Sequence, residues 1–426
     1  MAKTLNILVF PCGSEIGLEI HRSLKYSIHI NLIGANSVED HGRFVYKNYI
    51  KDIPFFSDED FIPSLKKIIE TYQIDAIYPA MDAVIARLSQ AEEELGCKVI
   101  GSPVATNDIC LSKKKTYQLL KDTILVPKVY ENLEAVKTFP VFLKPEIGYG
   151  SRGVKLIQNF KQGQEHLNSY PTCLILENLP GKEFTVDCFT DKNRKLLFSA
   201  GRERKRISNG ISVNTVPVEM EDESLKTIAR HINAVFHFRG AWFFQVKYND
   251  NGALCLLEVA SRLGGSSSLF RNMGVNFALL SIFDAFGYDV NVFSNSYNIE
   301  LDRSLNNKYK LDITFDKAYI DFDDCLILGD KVNTALLGLL YQFLNQGKKL
   351  VLITKHKDDI YESLIKFRLD KVFDEIIHLE QDHFKFEYID KEKAIFIDDS
   401  YAERYQVHKA LKIPVFAPDS IECLID

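Results

Sequence analysis

Residues 141–154 are Val141-Phe142-Leu143-Lys144-Pro145-Glu146-Ile147-Gly148-Tyr149-Gly150-Ser151-Arg152-Gly153-Val154. The first part predicts an apolar β-strand that ends on Lys144, and a glycine-rich turn leads to a second strand that starts at Val154. Glycines let backbone N–H groups point into a concave anion site, where Lys144 and Arg152 can neutralise a polyphosphate. For this loop alone, a flexible hairpin with a solvated lysine is an equal alternative.

Acidic side chains follow on the next predicted strands. Strand 173–177 ends on Glu177, and the strand after it begins next to Glu183. Such carboxylates can accept hydrogen bonds from an adenine amine and from ribose hydroxyls. Surface acids give the same pattern, so neither residue decides the function by itself.

A third group of polar residues lies on two later strands. Gln245 is on the strand 242–248, and Glu258 on the strand 253–259 is followed four residues later by Arg262. Magnesium prefers oxygen ligands that it shares with nucleotide phosphates, and an arginine can stabilise charge on a transferred phosphoryl group. Glu258 follows three apolar residues, where a solvated acid is not expected.

The N-terminal region predicts a different layout. The apolar run 5–10, the turn 11–17 and the amphipathic stretch that follows indicate strand, glycine turn and helix, which is how an α/β sheet begins. Gly13 and Gly17 lack the full spacing of a dinucleotide site, so a tight turn is favoured over cofactor binding.

Three domains are predicted, in a multidomain chain of α/β and α+β class. Their boundaries are 1–105, 106–305 and 306–426. Strand–helix alternation characterises the first domain, with strands predicted at 28–33 and 76–79 and helices at 61–72 and 83–95. Hairpin-spaced strands characterise the second domain, and regular β-α alternation the third.

In order and spacing, residues 1 to about 300 resemble the ATP-grasp superfamily, in particular its branch that is similar to the carbamoyl-phosphate synthase large subunit. The resemblance implies a Rossmann-like pre-ATP-grasp domain over 1–105 and an ATP-grasp domain over 106–305. It also implies residues for ATP (Lys113, Lys144, Gly150, Ser151, Gly153, the adenine hinge Glu177, Asn178 and Leu179, and the ribose acid Glu183), for metal (Gln245 and Glu258) and for catalysis (Arg262).

The implied reaction uses ATP, with Mg²⁺ or Mn²⁺, to phosphorylate a carboxylate, after which an amine attacks the acyl-phosphate. Arg204, in the basic run 202–206, is the candidate for holding phosphate or an acidic substrate, with a solvated face as the alternative. The family usually has Glu-x-Asn-x-Arg, whereas Ala260 occupies the asparagine position here. Ala260 is the feature that keeps open a nucleotide sensor without ligation.

A second group of acidic residues follows strands near the C-terminus. Asp321 and Asp323 come after the strand 318–320, Thr354 ends the strand 350–354, and Asp398 follows 394–397. In a parallel sheet these strand ends converge on one crevice. Carboxylates there can hold magnesium, and Thr354 with a lysine can hold a phosphate.

Residues 310–426 resemble the haloacid dehalogenase-like (HAD) phosphatases, without a large cap domain. The resemblance implies Asp321 as nucleophile, Asp323 as general acid/base, Thr354 as phosphate ligand, and Asp321, Asp323 and Asp398 as metal ligands. Lys385 is the predicted phosphate lysine, with Lys391 and Lys393 as rivals. A domain that only binds a phosphorylated ligand is the alternative.

The composition of the chain limits the classes of ligand and partner that we expect. The chain has 426 residues and a formal net charge of −6, which does not favour nucleic acid or an anionic membrane. Its eight cysteines are scattered, and its apolar runs are shorter than a membrane span. We therefore expect a cytoplasmic protein that acts on a small carboxylate and an amine, with a phosphorylated compound and a homodimer left open.

Overall fold

The structure, a computed structural model, describes residues 4–148, 152–208, 210–218, 223–304, 306, 309 and 311–426. The chain divides into two compact units, Met1–Asn306 and Asn307–Asp426. Within the described residues, no helix has both the length and the apolar character needed to cross a membrane.

The first unit begins with a parallel five-stranded sheet in the order β3-β2-β1-β4-β5. Apolar residues at helical spacing, such as Phe61, Leu65 and Ile69, pack one helix against strand residues Leu8 and Ile77. The elements are β1 (Leu5–Phe10), α1 (Glu15–Leu24), β2 (Ile30–Ala35), α2 (Gly42–Val45), β3 (Asn48–Ile50), α3 (Phe61–Tyr72), β4 (Ala76–Pro79), α4 (Asp82–Gln90), α5 (Glu92–Leu95) and β5 (Lys98–Val99).

A small antiparallel sheet follows, in the order β6-β9-β7-β8. Ser112 accepts a hydrogen bond from the backbone N–H of Lys115 at 3.2 Å, so it caps a helix that starts at Lys113. The elements are α6 (Val104–Leu111), α7 (Lys113–Leu120), β6 (Val129–Tyr130), β7 (Val141–Pro145), β8 (Lys155–Ile157), α8 (Phe160–Ser169) and β9 (Cys173–Glu177).

A six-stranded antiparallel sheet in the order β14-β13-β10-β11-β12-β15 completes the first unit. Its register places Glu258 opposite Gln245, Gln245 opposite Thr185, and Thr185 opposite Arg202. These four residues therefore share one face of the sheet. The elements are β10 (Glu183–Thr190), β11 (Leu196–Ser208), β12 (Ile211–Val218), α9 (Ser224–Val235), β13 (Gly240–Tyr248), β14 (Leu254–Ala260), α10 (Ser268–Asn272), α11 (Phe277–Ala285) and β15 (Leu301–Asp302).

One hydrophobic core joins the N-terminal sheet to the later part of the same unit. Ile20 of α1 and Phe277 of α11 belong to this core. Arg271 pairs with the buried Glu19 at 2.7 Å, and the side-chain amide of Asn276 donates to the carbonyl oxygen of Ser23 at 2.7 Å. The first two predicted domains thus lie in one compact unit.

The second unit has a parallel five-stranded sheet in the order β20-β19-β16-β21-β22, with a hairpin β17-β18 beside it. The central strands are buried and apolar, as is typical of parallel sheets covered on both faces. The elements are β16 (Lys317–Ile320), β17 (Ile327–Leu328), β18 (Lys331–Val332), α12 (Thr334–Asn345), β19 (Lys349–Thr354), α13 (Ile360–Lys366), β20 (Glu375–His378), β21 (Ala394–Ile397), α14 (Tyr401–Leu411) and β22 (Val415–Phe416).

Candidate functional sites

A cavity of about 270 Å³ in the first unit brings most of the predicted ATP residues together. Side chains from α7, from the small sheet and from the six-stranded sheet line it. The predicted residues on its wall are Lys113, Lys144, Glu177, Asn178, Leu179, Glu183, Arg204, Gln245, Glu258 and Arg262.

Two lysines and one carboxylate interact electrostatically on the wall of this cavity. The ammonium of Lys144 lies 2.8 Å from a carboxylate oxygen of Glu258. Burial alone would raise the pKa of Glu258, but the nearby Lys144 and Lys113 lower it to about 2. Glu258 is therefore ionised at neutral pH.

Lys113 is the most buried of the cationic groups predicted for ATP in this cavity. Its side chain donates to the carbonyl oxygen of Glu146 at 3.4 Å. Burial lowers the pKa of Lys113, and the positive charge of Lys144 lowers it further. Two ammonium groups that repel each other in a partly closed cavity are well suited to an anionic ligand.

The donors for a divalent cation come from neighbouring strands. Glu258 on β14 and Gln245 on β13 face each other in register and line the same cavity. A carboxylate and an amide oxygen are hard donors that fit Mg²⁺ or Mn²⁺. Ala260 also lines the cavity and offers no donor, as expected from the sequence.

Arg262 makes a contact that the sequence did not predict. Its guanidinium binds both carboxylate oxygens of Asp82, at 2.9 and 2.8 Å, and lies 5.2 Å from the centre of the Phe243 ring. Asp82 is the first residue of α4 and lies just beyond β4, at the carboxyl edge of a parallel sheet. Polar groups commonly lie at the carboxyl edge of a parallel sheet, and this position was the only sequence signal that Asp82 belongs to the site.

The predicted nucleotide acids are already partly engaged. Glu183 pairs with Arg204, whose guanidinium also donates to the carbonyl oxygen of Gly210 at 2.7 Å. Glu177 accepts a hydrogen bond from the backbone N–H of Lys128 at 3.1 Å. Of the glycine-loop residues predicted to bind ATP, Gly150 and Ser151 lie outside the described residues.

Gly153, at the end of that loop, occupies a position that requires glycine. Its φ of +71° is in the left-handed region, and an added Cβ would lie 2.8 Å from the ring of Tyr170. The loop therefore re-enters β8 through a turn that other residues adopt only with strain.

The second unit has its own buried charged cluster. The ammonium of Lys385 lies 2.6 Å from a carboxylate oxygen of Asp321 and 2.6 Å from one of Asp398. Burial raises the pKa of both aspartates above the usual range, although the charge of Lys385 opposes this shift. Of the three predicted lysines, the structure places Lys385 here, whereas Lys391 is exposed and Lys393 pairs with Asp316 at 3.2 Å.

Two carboxylates of this cluster and one neighbouring carboxylate are close enough together to bind a divalent cation. Asp323 is not one of the three. Oxygens of Asp321, Asp398 and Asp399 lie within 4.8 Å of one another. Asp323 instead turns its carboxylate toward His356. Thr354 is 1% exposed, and its hydroxyl has no hydrogen-bond partner within the described part of the chain, so it is free to bind an anion.

Comparison with known proteins concerns the ATP site. Residues 169–304 match the family model described as ATP-grasp in the biosynthetic pathway with the Ter operon. The chain is 28% identical over 180 residues to the D-alanine–D-alanine ligase of Fusobacterium nucleatum, which covers 40% of this chain and 62% of that enzyme. The comparisons support the ATP-grasp superfamily.

The chain is also similar to one further protein in sequence and to one solved structure in fold. The large chain of carbamoyl phosphate synthase from Thermoplasma acidophilum is 23% identical over 314 residues, covering 66% of this chain and 29% of that chain. The fold is similar to the biotin carboxylase domain of 2-oxoglutarate carboxylase from Hydrogenobacter thermophilus, with a TM-score of 0.58, 15% identity and coverage of 69% and 72%.

The expected cofactors, ATP and Mg²⁺ or Mn²⁺, are those of ATP-grasp ligases. The Hydrogenobacter structure was solved with the magnesium salt of ADP. This chain spans less than two thirds of the length of the Fusobacterium ligase that it matches.

Proposed function

We propose that the first unit is an ATP-dependent ligase that joins a carboxylate to an amine through an acyl-phosphate. The observation that carries the proposal is the single cavity in which Lys113, Lys144, Gln245, Glu258 and Arg262 meet. Cationic groups for a polyphosphate and oxygen donors for magnesium lie side by side there, as phosphoryl transfer requires.

In this proposal the residues divide into three roles. Lys113 and Lys144 bind the phosphates, Gln245 and Glu258 hold magnesium, and Arg262 stabilises charge on the transferred phosphoryl group. Bound magnesium neutralises phosphate charge. Glu177 to Leu179 contact the adenine, and Glu183 contacts the ribose.

The chemistry proceeds in two steps. A carboxylate oxygen of the acceptor attacks the γ-phosphorus of ATP, the bond to the bridging oxygen breaks, and ADP leaves. The amine then attacks the carbonyl carbon of the acyl-phosphate, inorganic phosphate leaves, and the amine loses a proton. Arg204, on the wall of the same cavity, is proposed to hold the acidic substrate once ATP binding rearranges its pairing with Glu183.

We propose three domains with the boundaries predicted from the sequence. Residues 1–105 form a Rossmann-like pre-ATP-grasp domain, 106–305 the ATP-grasp domain and 306–426 a HAD-like domain. The parallel sheet order β3-β2-β1-β4-β5 supports the first and the order β20-β19-β16-β21-β22 supports the third. A cytoplasmic location stays a prediction, as does a homodimer.

The test is ADP release with magnesium, measured against a panel of carboxylates and amines. The proposal expects release that depends on one member of each class and that disappears in Glu258→Ala. Tight ATP binding without stimulated ADP release across the panel would favour the nucleotide sensor instead.

For the second unit we propose a magnesium-dependent phosphatase of the HAD type. Its support is the cluster of Asp321, Lys385 and Asp398 beside the unpartnered hydroxyl of Thr354. Asp321 would attack phosphorus, Thr354 and Lys385 would hold the phosphate, and Asp323 would transfer protons.

Hydrolysis of a panel of phosphate monoesters with magnesium tests the phosphatase. Activity that disappears in Asp321→Asn is the expected result. A wild-type protein that binds phosphate esters without hydrolysing them would favour the binding-module alternative.

A further inference from the structure

Asp323 is held by a neighbouring histidine. The Nδ1 atom of His356 lies 3.0 and 2.9 Å from the two carboxylate oxygens of Asp323. The side chain of Asp323 is 51% exposed, and that of His356 is 13% exposed. A half-exposed carboxylate is thus fixed by a largely buried ring.

The histidine ring is itself fixed on its other edge. Its Nε2 atom lies 2.9 Å from the hydroxyl oxygen of Ser363, in α13. The centroid of the ring lies 5.0 Å from that of the Phe322 ring, in an edge-on arrangement. The backbone carbonyl oxygen of His356 accepts a hydrogen bond from Nε2 of His378 at 2.7 Å. When Asp323 is ionised, as it is once its proton has gone to the leaving oxygen, its carboxylate only accepts, so Nδ1 carries the hydrogen and in the neutral ring Nε2 accepts the hydroxyl hydrogen of Ser363.

This chain of contacts starts two residues after the proposed phosphate ligand. His356 follows Thr354 on the segment that leaves β19, and Asp323 follows Asp321 on the segment that leaves β16. The two strands are parallel neighbours. The fold therefore places a hydrogen-bond donor beside Asp323 at the same sheet edge as the phosphate site.

We propose that His356 is a positioning residue for Asp323, and that the pair adapts the site to phosphate monoesters of alcohols. This inference rests on the proposed phosphatase function. Alkoxide leaving groups need a proton as the ester bond breaks, whereas acidic phenols leave without one.

The proposed hydrolysis has two steps. A carboxylate oxygen of Asp321 attacks phosphorus, the bond to the ester oxygen breaks, and the Asp323 carboxyl group donates its proton to that oxygen, which releases the alcohol. The Asp323 carboxylate then takes a proton from water, whose oxygen attacks the phosphorus of the aspartyl phosphate. Inorganic phosphate leaves, and Asp321 is restored.

Two esters with different leaving groups test the role of His356, with ethyl phosphate and 4-nitrophenyl phosphate as probes and magnesium present. His356→Ala should lower kcat/KM, which covers the steps up to release of the alcohol, about tenfold or more for ethyl phosphate, with less than about a threefold change for 4-nitrophenyl phosphate. His356→Asn retains an N–H donor near Nδ1 and should restore much of the loss. Ser363→Ala, which removes only the outer contact, should give a smaller fall with the same ester dependence.

Different outcomes test the role of His356 and the phosphatase activity separately. Equal falls in kcat/KM with both esters would show a structural role, and a rise in kcat/KM would show that His356 restrains Asp323; either result overturns the inference alone. The Ser363→Ala protein decides the matter if His356→Ala does not fold. A wild-type protein without activity on either ester, relative to Asp321→Asn, overturns both proposals.

Discussion

The carboxylate of Glu258 contacts the ammonium of Lys144 and is influenced by the charge of Lys113, so its charge serves the cavity rather than the packing of β14. Lys144 is 2.8 Å away, and Lys113 is the second cation that lowers the pKa of Glu258. Removing either partner of the 2.8 Å pair therefore changes the charge of the cavity wall where ATP is proposed to bind.

Lys144→Ala should lower kcat/KM for ADP production by about 10²–10³-fold while the protein stays folded, because the lost group stabilises developing phosphate charge. Lys155→Ala is the matched control, since Lys155 is an exposed lysine on the neighbouring strand β8. Steady-state ADP release measures both. Full activity in Lys144→Ala would remove this lysine from the site.

The pKa of Glu258 also predicts how stability responds to acid. A folded-state pKa of about 2, below the ordinary 4.5, means that the ionised group stabilises the fold above the unfolded-state pKa. That stabilisation is lost as the pH falls from 4.5 through about 2.

Glu258→Gln lacks this titration. The difference in unfolding free energy between wild type and Glu258→Gln should therefore be largest at neutral pH and smaller at about pH 3. Urea unfolding at the two pH values measures it. A difference that grows toward acid would mean that the pKa of Glu258 is raised instead.

Local patterns predicted some secondary-structure elements well. Helix α3 and strand β9 have the predicted ends, because apolar periodicity and flanking turn residues define them. Strand β2 begins at Ile30 rather than Ile28, and the predicted helix 83–95 is broken at Ala91 into α4 and α5. Such ends depend on tertiary contacts, which a local pattern does not contain.

The candidate sites show the same limit at longer range. Lys144 and Asp321 were predictable from the local sequence, because Lys144 lies near the end of an apolar strand before a glycine-rich turn, and Asp321 follows an apolar strand of a parallel sheet. Asp82 and His356 were not, since their contacts with Arg262 and Asp323 join segments 180 and 33 residues apart. The position of the Asp399 carboxylate near those of Asp321 and Asp398 was not predicted either, because side-chain direction after a strand end depends on neighbours.

At the scale of the six-stranded sheet, a buried ion pair links two strands. Arg202 on β11 lies 2.6 Å from Asp187 on β10, and each side chain is 3% exposed. Asp187→Ala should lower the unfolding free energy by about 3–5 kcal/mol, because Arg202 would remain buried and unpaired. Urea unfolding measures this loss.

An exposed ion pair that includes Lys205, on the same strand β11 as Arg202, is the control for the buried pair. Lys205 pairs with Glu300 at 3.1 Å, with 46% and 52% of the side chains exposed, so Lys205→Ala should leave the unfolding free energy nearly unchanged. The double change Asp187→Leu with Arg202→Met should recover much of the loss. Similar stability in Asp187→Ala and Lys205→Ala would mean that the buried pair contributes little.

For the whole molecule, the two proposed activities should be separable. Each unit has its own acidic and basic residues within its own fold, so Asp321→Asn should abolish phosphate-ester hydrolysis and leave ATP affinity nearly unchanged. Glu258→Ala should show the reverse pattern. Ester hydrolysis and nucleotide titration on both variants measure the separation, and residual hydrolysis in Asp321→Asn would point to another nucleophile.

The acyl-phosphate is the central claim, and isotope transfer tests it most directly. The carboxylate that stimulates ADP release is labelled with ¹⁸O in both oxygens, and the inorganic phosphate is analysed by mass spectrometry after turnover with ATP and the amine. Because the carboxylate oxygen that attacks phosphorus leaves with the phosphate, the mechanism predicts one ¹⁸O atom per phosphate in the wild type. Unlabelled phosphate, or AMP and pyrophosphate in place of ADP, would contradict it.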